Sequence, residues 1–377
     1  MQRKRVALFV ETSLASGREI LRGIARYAQE VDSWQLFHSA RGLEDAPPEW
    51  LRDWGGDGVI ARVQTPELAE ALQKLEAPVV DVLGVVEDAG FPLVHVDDEQ
   101  VAAEAARHFL ERNYRHFAFF GIANENWSQR RRVGFEQACG RPVLVFESER
   151  SEEAPSAELR SWLRGLPKPV GVLVASDQRG LLLLESCRAE DISVPEQVAV
   201  IGVDNDVPLC EISTPPLTSI RAGHFRVGFE AARLLNQLMV GEAAPSQQLL
   251  VPPTGVVTRG SSDTQAIEDP LVAVGVGFMR EHLAEPITND AIARAAAVSR
   301  TLFQKRFRAA MGRSIRDYLI DLRLRKARLL IETSELTLAD IAQRCGFRHQ
   351  EYLGDVFRKH YGLTPGQARR QRSDFRV

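Results

Sequence analysis

Short, continuous apolar runs alternate with longer amphipathic segments along the first 260 or so residues of the chain. A continuous apolar run predicts a strand buried on both faces, and apolar positions three or four residues apart predict a helix. Helices are predicted, for example, over 66–75 and 100–112. Because nine strands exceed one compact sheet, the alternation predicts two α/β lobes. The predicted strands span residues 6–10, 34–38, 58–61, 78–83, 93–96, 116–121, 142–146, 171–175 and 198–203.

The pattern changes beyond residue 271, where helical spacing dominates and one arrangement of elements occurs twice. A short helix, a tight turn and a longer helix are predicted over 289–312 and again over 338–362. A basic amphipathic helix, predicted over 316–332, joins the two copies. A further helix over 271–283 is expected to begin this part of the chain. The sequence therefore predicts an all-α domain with two helix-turn-helix units.

Local signals fix the ends of these helices. Thr337 is a predicted N-cap, and Asp340 three residues later completes an acidic form of the capping box. Gly346 stands where the turn requires left-handed backbone. Ser299 is the predicted N-cap of the longer helix in the first copy. The apolar stripes of the longer helices are predicted to contain Phe303, Phe307 and Ala310 in the first copy and Leu353, Val356 and Phe357 in the second.

The longer helix of each copy has a polar face opposite its apolar stripe, and such a face can read the major groove of DNA. One copy alone is equally compatible with an ordinary helical subdomain whose charged face is solvated. Two copies joined by a basic helix favour DNA binding. The candidates for contacts with base edges are Thr301, Gln304, Lys305, His349, Gln350 and Glu351. The candidates for contacts with phosphates are Arg300, Arg308, Arg348 and Arg358.

Charge is distributed unevenly along the chain, although the overall net charge is only -4. Residues 268–377 contain 20 Lys and Arg against 13 Asp and Glu, a net charge of +7. The remainder contains 27 basic against 38 acidic residues, a net charge of -11. This asymmetry predicts a C-terminal domain that meets phosphate and an N-terminal body that does not.

Cysteine spacing and hydropathy predict a cytoplasmic protein. The four cysteines, Cys139, Cys187, Cys210 and Cys345, are scattered without any paired spacing, which favours reduced thiols over a disulfide framework or a zinc site. The apolar run near the N-terminus is too short for the core of a signal peptide, and no run reaches the length of a membrane span. We therefore expect no metal, no cofactor and no membrane association.

Polar residues follow the predicted strands, where the ligands of α/β folds bind. Carboxylates and an arginine can each hold two adjacent hydroxyl groups, and a tryptophan can stack on the apolar face of a sugar. These residue types predict a polyhydroxyl ligand. The candidates for ligand binding are Ser13, Asp98, Trp127, Arg131, Ser176, Asp177 and Asp204. Taken singly, such a residue is more often a turn former, a helix cap or a packing residue.

No arrangement of catalytic residues stands out in the sequence. It contains neither a phosphate-binding glycine motif nor a recognisable Ser/His/Asp or Cys/His set. An enzyme is therefore not expected. A sugar-binding protein used in transport would require an export signal and would have no use for a basic C-terminal domain.

A set of residues in the second copy and just after it forms a recognisable pattern, namely Ile341, Ala342, Gly346, Phe347, Phe357, Arg358, Lys359, Gly362, Thr364 and Pro365. This pattern resembles the AraC-type family of transcription regulators, whose DNA-binding domain has two helix-turn-helix units held by a linking helix. Asp355 stands where this family often has a basic residue and permits a contact with cytosine, and Ala368 stands where an aromatic residue is usual.

The N-terminal part resembles the effector domain of the LacI/GalR class, which has a periplasmic-binding-protein-like fold. The resemblance rests on residues 131–135, 175–178 and 199–235. It implies that Asp204 binds the effector and that Arg131 binds sugar hydroxyls. Ser176, Asp177, Asp98 and Ser13 also match the cleft, although serine at position 176 departs from the usual asparagine and the loops of Asp98 and Ser13 match more weakly.

The order of the two parts resembles the family of xylose-operon activators. This resemblance implies an effector domain over 1–259, a linker over 260–270 and a DNA-binding domain over 271–377. It also implies an operator in duplex DNA, D-xylose or a similar sugar as effector, RNA polymerase as a partner, and a homodimer. Two alternatives remain open, namely a response to a different small metabolite and action as a repressor.

Overall fold

The computed structural model describes residues 3–38, 42, 45, 47–149, 154–243 and 248–373. Residues 1–2 and 374–377, at the ends of the two predicted domains, lie outside the described residues. The chain divides into two compact units, Met1–Ala266 and Ile267–Val377. No helix in the described part of the chain is long and apolar enough to cross a membrane.

The first unit is built from alternating strands and helices. Its described strands are β1 (Lys4–Phe9), β2 (Trp34–His38), β3 (Gly58–Ala61), β4 (Val79–Asp81), β5 (Val94–Val96), β6 (His116–Ile122), β7 (Val143–Ser148), β8 (Val170–Val174), β9 (Val198–Val203), β10 (Thr218–Arg221), β11 (Leu249–Val251) and β12 (Gly255–Val257). Its described helices are α1 (Ala15–Val31), α2 (Pro66–Gln73), α3 (Asp98–Glu111), α4 (Asn126–Cys139), α5 (Ala157–Gly165), α6 (Asp177–Ala189), α7 (Val207–Ile212) and α8 (His224–Leu238), with a short 3₁₀ helix at Glu49–Asp53.

These strands form two main sheets, one in each lobe. The first lobe has the parallel order β2-β1-β3-β4, and α1 packs against α8 there. The second lobe has the order β12-β10-β9-β8-β6-β7, in which only the pair β10–β12 is antiparallel. Strands β5 and β11 pair with each other, at the places where the chain passes between the lobes. The predicted two-lobed α/β architecture is confirmed.

The segment that follows β12 is fixed to the second lobe by buried polar side chains. Ser261 Oγ donates a hydrogen bond to the carbonyl of Val200 at 2.7 Å. Ser262 Oγ lies 2.8 Å from His108 Nε2, and burial lowers the pKa of His108 to about 4, so the ring is neutral near pH 7. The early residues of the segment predicted as a linker, 260–270, therefore extend the first unit.

The second unit is helical throughout its regular structure. The described helices are α9 (Pro270–Glu281), α10 (Asn289–Ala295), α11 (Arg300–Met311), α12 (Ile315–Thr333), α13 (Leu338–Arg344), α14 (Gln350–Tyr361) and α15 (Pro365–Ser373). Helices α11 and α14 are the longer helices of the two helix-turn-helix units and are called the recognition helices below, after the prediction that they read DNA.

The predicted capping signals are confirmed. The hydroxyl of Ser299 accepts a hydrogen bond from the backbone of α11, and Thr337 with Asp340 forms a complete capping box at α13. Gly346 has a φ of 75°, and a β-carbon there would lie 2.4 Å from the carbonyl oxygen of Leu283. Only glycine therefore fits this turn without displacing its neighbours.

Two separate apolar cores hold the helical unit together. The first helical core contains Phe303 and Phe307, and the second helical core contains Leu353 and Phe357, all fully buried. Ala310, predicted to join the first buried stripe, is instead exposed, because the stripe continues at Met311, four residues after Phe307, which packs against the first helical core.

Candidate functional site

A cavity of about 730 Å³ opens between the two lobes of the first unit. This volume is in the range of pockets that bind small molecules. Part of its wall comes from residues that follow strands, such as Ser176 and Asp204, as expected for an α/β fold, and another part comes from helices. Of the predicted ligand-binding residues, the cavity is lined by Ser13, Trp127, Arg131, Ser176, Asp177 and Asp204.

Asp204 lies in the cavity wall directly after β9. Its backbone has a φ of 101°, a left-handed conformation that is uncommon for a residue with a side chain. Its Oδ1 lies 2.9 Å from Nε2 of His224, at the start of α8. Burial by itself raises the pKa of Asp204, but the hydrogen bond and charge of His224, together with the charges of Arg131 and Arg62, outweigh burial and hold this pKa below its ordinary value. The site therefore presents an ionised carboxylate.

Asp177 lies beneath the loop that carries Asp204. It is only 2% exposed, and its carboxylate accepts a hydrogen bond from the backbone N–H of Asp206 at 2.7 Å. Its other oxygen is 2.5 Å from Ser219 Oγ, which in turn accepts from the N–H of Asn205 at 3.0 Å. Burial first, and then the nearby charge of Asp204, raise the pKa of Asp177 to about 8. The hydrogen bonds of Asp177 are thus made with protein groups, and they shape the loop that carries Asp204.

Asp98 is not among the residues that line the cavity. Its side chain is inaccessible to solvent, and it pairs with Nε of Arg131 at 2.9 Å and with Nε of Arg130 at 3.0 Å. Nε2 of His95 is 3.5 Å away. Burial raises the pKa of Asp98, but Arg131, His95 and Arg130 together outweigh burial and hold it well below its ordinary value. Asp98 therefore orients Arg131 from behind.

Arg131 and Trp127 stand together on α4. The guanidinium carbon of Arg131 lies 4.8 Å from the centre of the Trp127 ring, and Nη1 of Arg131 donates to the carbonyl of Ala175 at 2.5 Å. The indole N–H of Trp127 donates to Glu125 at 2.7 Å. Both side chains are held in place before any ligand arrives, and they form a cationic and aromatic wall.

The remaining two predicted residues take part less directly. Ser13 is exposed at the rim of the cavity, and its backbone carbonyl accepts a hydrogen bond from Arg18 at 2.9 Å. Ser176 is the N-cap of α6, and its hydroxyl accepts from the N–H of Arg179 at 3.5 Å. The hydroxyl of Ser176 is thus already used to begin a helix.

The sequence interpretation missed Arg62, which the first lobe contributes to the cavity. Arg62 follows β3 directly, is 8% exposed, and is paired with the buried carboxylate of Glu11. It also donates to Ser16 Oγ at 3.1 Å. Its Nε has no hydrogen-bond partner within the described residues. The rule that a polar residue after a strand faces the ligand would have found it.

The DNA-facing candidates lie on the surface of the second unit. All of them are exposed except Gln304, which is half-buried. Arg300 forms a loose ion pair with Asp290 at 3.6 Å, and Gln350 is 3.4 Å from Glu351. Arg348 and His349 lie directly before α14, with His349 as its N-cap. The other predicted residues, on α11 and α14, are Thr301, Lys305, Arg308 and Arg358. Their exposure leaves both polar faces accessible to a partner.

No cluster of three or more His, Cys, Asp or Glu side chains in the described part of the chain is arranged to hold a metal ion. The four cysteines are buried and unpaired by disulfides.

Three family models match successive parts of the chain. A XylR N-terminal domain matches residues 5–99, a periplasmic binding protein-like domain matches residues 106–262, and a helix-turn-helix domain matches residues 292–371. The order of these matches agrees with the order of the two units.

Full-length relatives are similar over nearly the whole chain. The xylose operon regulatory protein of Escherichia coli (strain K12) is 31% identical over 387 residues, covering 98% of this chain and 97% of that protein. The protein of the same name from Haemophilus influenzae is 26% identical, covering 97% of this chain and 98% of that protein. A solved structure of a xylose-binding transcription activator, xylR, has a TM-score of 0.85 and 29% identity, and covers 98% of both chains.

Proposed function

Because the chain belongs to the family of the xylose operon regulatory proteins, we propose that it regulates a sugar-utilisation operon in response to D-xylose. The members of this family are DNA-binding regulators, and this chain is one and not an enzyme. In functional terms, residues 1–259 form the effector domain and residues 271–377 form the DNA-binding domain. Residues 260–270 connect them, and the early residues of this segment, including Ser261 and Ser262, pack with the effector domain. The protein works in the cytoplasm, where its operator lies.

The observation that carries the sugar assignment is the set of charged groups that face one cavity. Arg62 comes from the first lobe, whereas Arg131 and Asp204 come from the second. Each of the two guanidinium groups is held by a buried carboxylate, and Asp204 is held by His224. Planar charged groups of this kind bind pairs of hydroxyls, so the cavity fits a monosaccharide whose hydroxyls point in several directions.

The predicted binding residues receive different roles in this proposal. Arg131, Asp204 and Trp127 contact the sugar, and Arg62 joins them. Asp98 positions Arg131, and Asp177 shapes the Asp204 loop, since the carboxylates of both are occupied by protein groups. Ser13 and Ser176 contribute to the wall at the mouth and at the start of α6.

A ligand that bonds to both lobes stabilises the arrangement in which the lobes are close. Sugar binding can change DNA binding only to the extent that the sugar binds one arrangement of the lobes more tightly than the other. We propose that this difference alters how a homodimer presents its DNA-binding domains. RNA polymerase is the proposed partner, since the solved relative is described as a transcription activator.

Calorimetry and thermal unfolding with a panel of pentoses and hexoses test the sugar assignment. D-xylose is expected to raise the unfolding temperature of the first unit, because a ligand at a hundred times its Kd stabilises by about 2.7 kcal/mol. D-lyxose, which differs at one hydroxyl, should have a much smaller effect, because a misplaced hydroxyl leaves buried polar groups unpaired. A shift with another sugar would select that sugar as effector, and no shift with any sugar would contradict the proposal.

The two recognition helices are proposed to enter successive major-groove segments on one face of the DNA, about 34 Å apart.

Gln304→Ala should relax the preference at one base pair and cost about 1 to 3 kcal/mol on the specific site. Arg308→Ala should weaken binding to all sequences and reduce the salt slope by about 1. Titrations of specific and unrelated duplexes at several salt concentrations distinguish these effects. A general loss for Gln304→Ala, or an unchanged slope for Arg308→Ala, would contradict the assignment.

A further inference from the structure

The linking helix α12 is shared by the two helix-turn-helix units. Its first half contributes Ile315, Tyr318 and Leu322 to the first helical core. Its second half contributes Leu324 and Ile331 to the second helical core. Since the two cores are distinct, the orientation of one unit against the other depends on α12 and on the polar contacts around its centre.

Asp321 lies near this centre, directly before Leu322 of the first core and three residues before Leu324 of the second. It is only 7% exposed. Its Oδ2 accepts hydrogen bonds from Nη2 of Arg313 at 3.2 Å and from Nη2 of Arg325 at 2.8 Å. Its Oδ1 lies 3.5 Å from Nε2 of His360. One buried carboxylate therefore faces basic side chains from three places in the chain.

Two of these basic side chains belong to the ends of the recognition helices. Arg313 immediately follows Gly312, the residue that ends α11. His360 lies in the last turn of α14. Arg313 also packs on the first core, with its guanidinium carbon 4.6 Å from the centre of the Tyr318 ring. The carboxylate of Asp321 thus links the C-terminal ends of the two helices that are proposed to read DNA.

We infer that Asp321 is a positioning residue that fixes the two recognition helices relative to each other. The inference rests on the proposed DNA-binding function and assigns a cause to the spacing of the two helices. Two joined binding modules gain affinity only when their geometry allows both to bind at once. A rigid junction at Asp321 keeps α11 and α14 in register with one operator, whereas a loose junction spreads their relative orientations.

The surroundings of Asp321 make this role separable from folding. The side chains of Arg313 and Arg325 are 38% and 39% exposed, so water can solvate them when the carboxylate is removed. The side chain of Asp321 belongs to neither apolar core. Asp321→Asn is therefore expected to fold, while the orientation of α11 relative to α14 becomes less restricted. Asp317→Asn is the matched control, because Asp317 is an exposed carboxylate one turn earlier on α12 that bonds to Ser314.

The experiment compares the full-length wild type with these two variants. The probe is the duplex that the wild type selects from a random pool, together with versions in which the subsite of one unit is replaced by unrelated sequence. The subsite whose preference changes in Gln304→Ala belongs to α11. We expect Asp321→Asn to lose about tenfold in affinity on the two-subsite duplex but less than about twofold on either single-subsite duplex.

Duplexes that differ in the spacing between the two subsites distinguish a positioning role from a general structural effect, which would not change the preference for one spacing. One base pair inserted between the subsites should weaken wild-type binding strongly, whereas Asp321→Asn should bind the two spacings almost equally. Asp317→Asn should behave as the wild type. Equal losses on single-subsite and two-subsite duplexes, or an unchanged spacing preference, would overturn the role of Asp321. A wild type that selects no sequence would overturn the proposed DNA-binding function as well, so the two failures are distinguishable.

Discussion

Replacing Asp204 by alanine is expected to lower the affinity for D-xylose at least about a hundredfold, while DNA binding without sugar stays unchanged. A hydrogen bond to a charged group contributes about 1.5 to 3 kcal/mol, and a carboxylate can accept from two sugar hydroxyls. Losing both bonds removes about 3 kcal/mol or more, which corresponds to at least two orders of magnitude in Kd. Isothermal titration calorimetry measures this loss directly, and a duplex titration checks the DNA binding.

The controls separate the carboxylate from general effects of the substitution. Asp204→Asn preserves the shape of the side chain and tolerates the left-handed backbone, so it isolates the charge that His224 holds. Glu211→Ala removes an exposed carboxylate from α7 in the same lobe, outside the cavity, and should bind sugar as the wild type does. Full sugar affinity in the alanine variant of Asp204 would show that the sugar binds elsewhere.

The helix-turn-helix part was predictable in detail because its signals are local. Caps such as Ser299 and Thr337 satisfy the exposed backbone N–H groups of a helix that begins at the next residue. Each signal needs only three or four consecutive residues, so neither distant contacts nor the tertiary fold can alter it. The exposed Ala310 shows the limit of this reasoning. After Phe307 a helical spacing of three or four residues allows either Ala310 or Met311 to continue the stripe, and in the structure Met311 does so.

The short strands at the end of the first unit were not predicted. Strands β10, β11 and β12 have only three or four residues each, and they join the sheets by pairing with strands that are distant in sequence. Their conformation is decided by the partner strand, which a reading of local pattern does not include.

The candidate site was located correctly at the strand ends, but the use of each carboxylate could not be predicted. Asp98, Asp177 and Asp204 all follow strands and appear equivalent in the sequence. In the structure Asp98 faces an arginine and Asp177 faces a loop, and neither arrangement is encoded near the residue itself. Arg62 was missed because it stands alone among apolar neighbours and not in a polar cluster.

Replacing Arg131 by methionine is expected to destabilise the first unit by about 3 kcal/mol and to abolish sugar binding. A buried charge that loses its partner costs about 3 to 5 kcal/mol, and the partly exposed Arg130, which also pairs with Asp98, compensates this loss only in part. Asp98 is fully inaccessible to solvent, so it cannot recover this energy from water. Methionine retains much of the length and apolar surface of arginine, so the loss reports the charge and not a cavity.

Arg130→Met is the matched control for this prediction. Arg130 neighbours Arg131 on the same helix and pairs with the same carboxylate, but its side chain is 38% exposed. An exposed partner is screened by solvent, so its loss should cost less than about 1 kcal/mol. Urea unfolding followed by tryptophan fluorescence measures both variants, and the signal reports the first unit alone because all five tryptophans lie within residues 1–266. Equal destabilisation by the two substitutions would contradict the assignment of Asp98 as the buried support of Arg131. In that case the two arginines would contribute equally to the free energy of unfolding, and the difference in their burial would not determine those contributions.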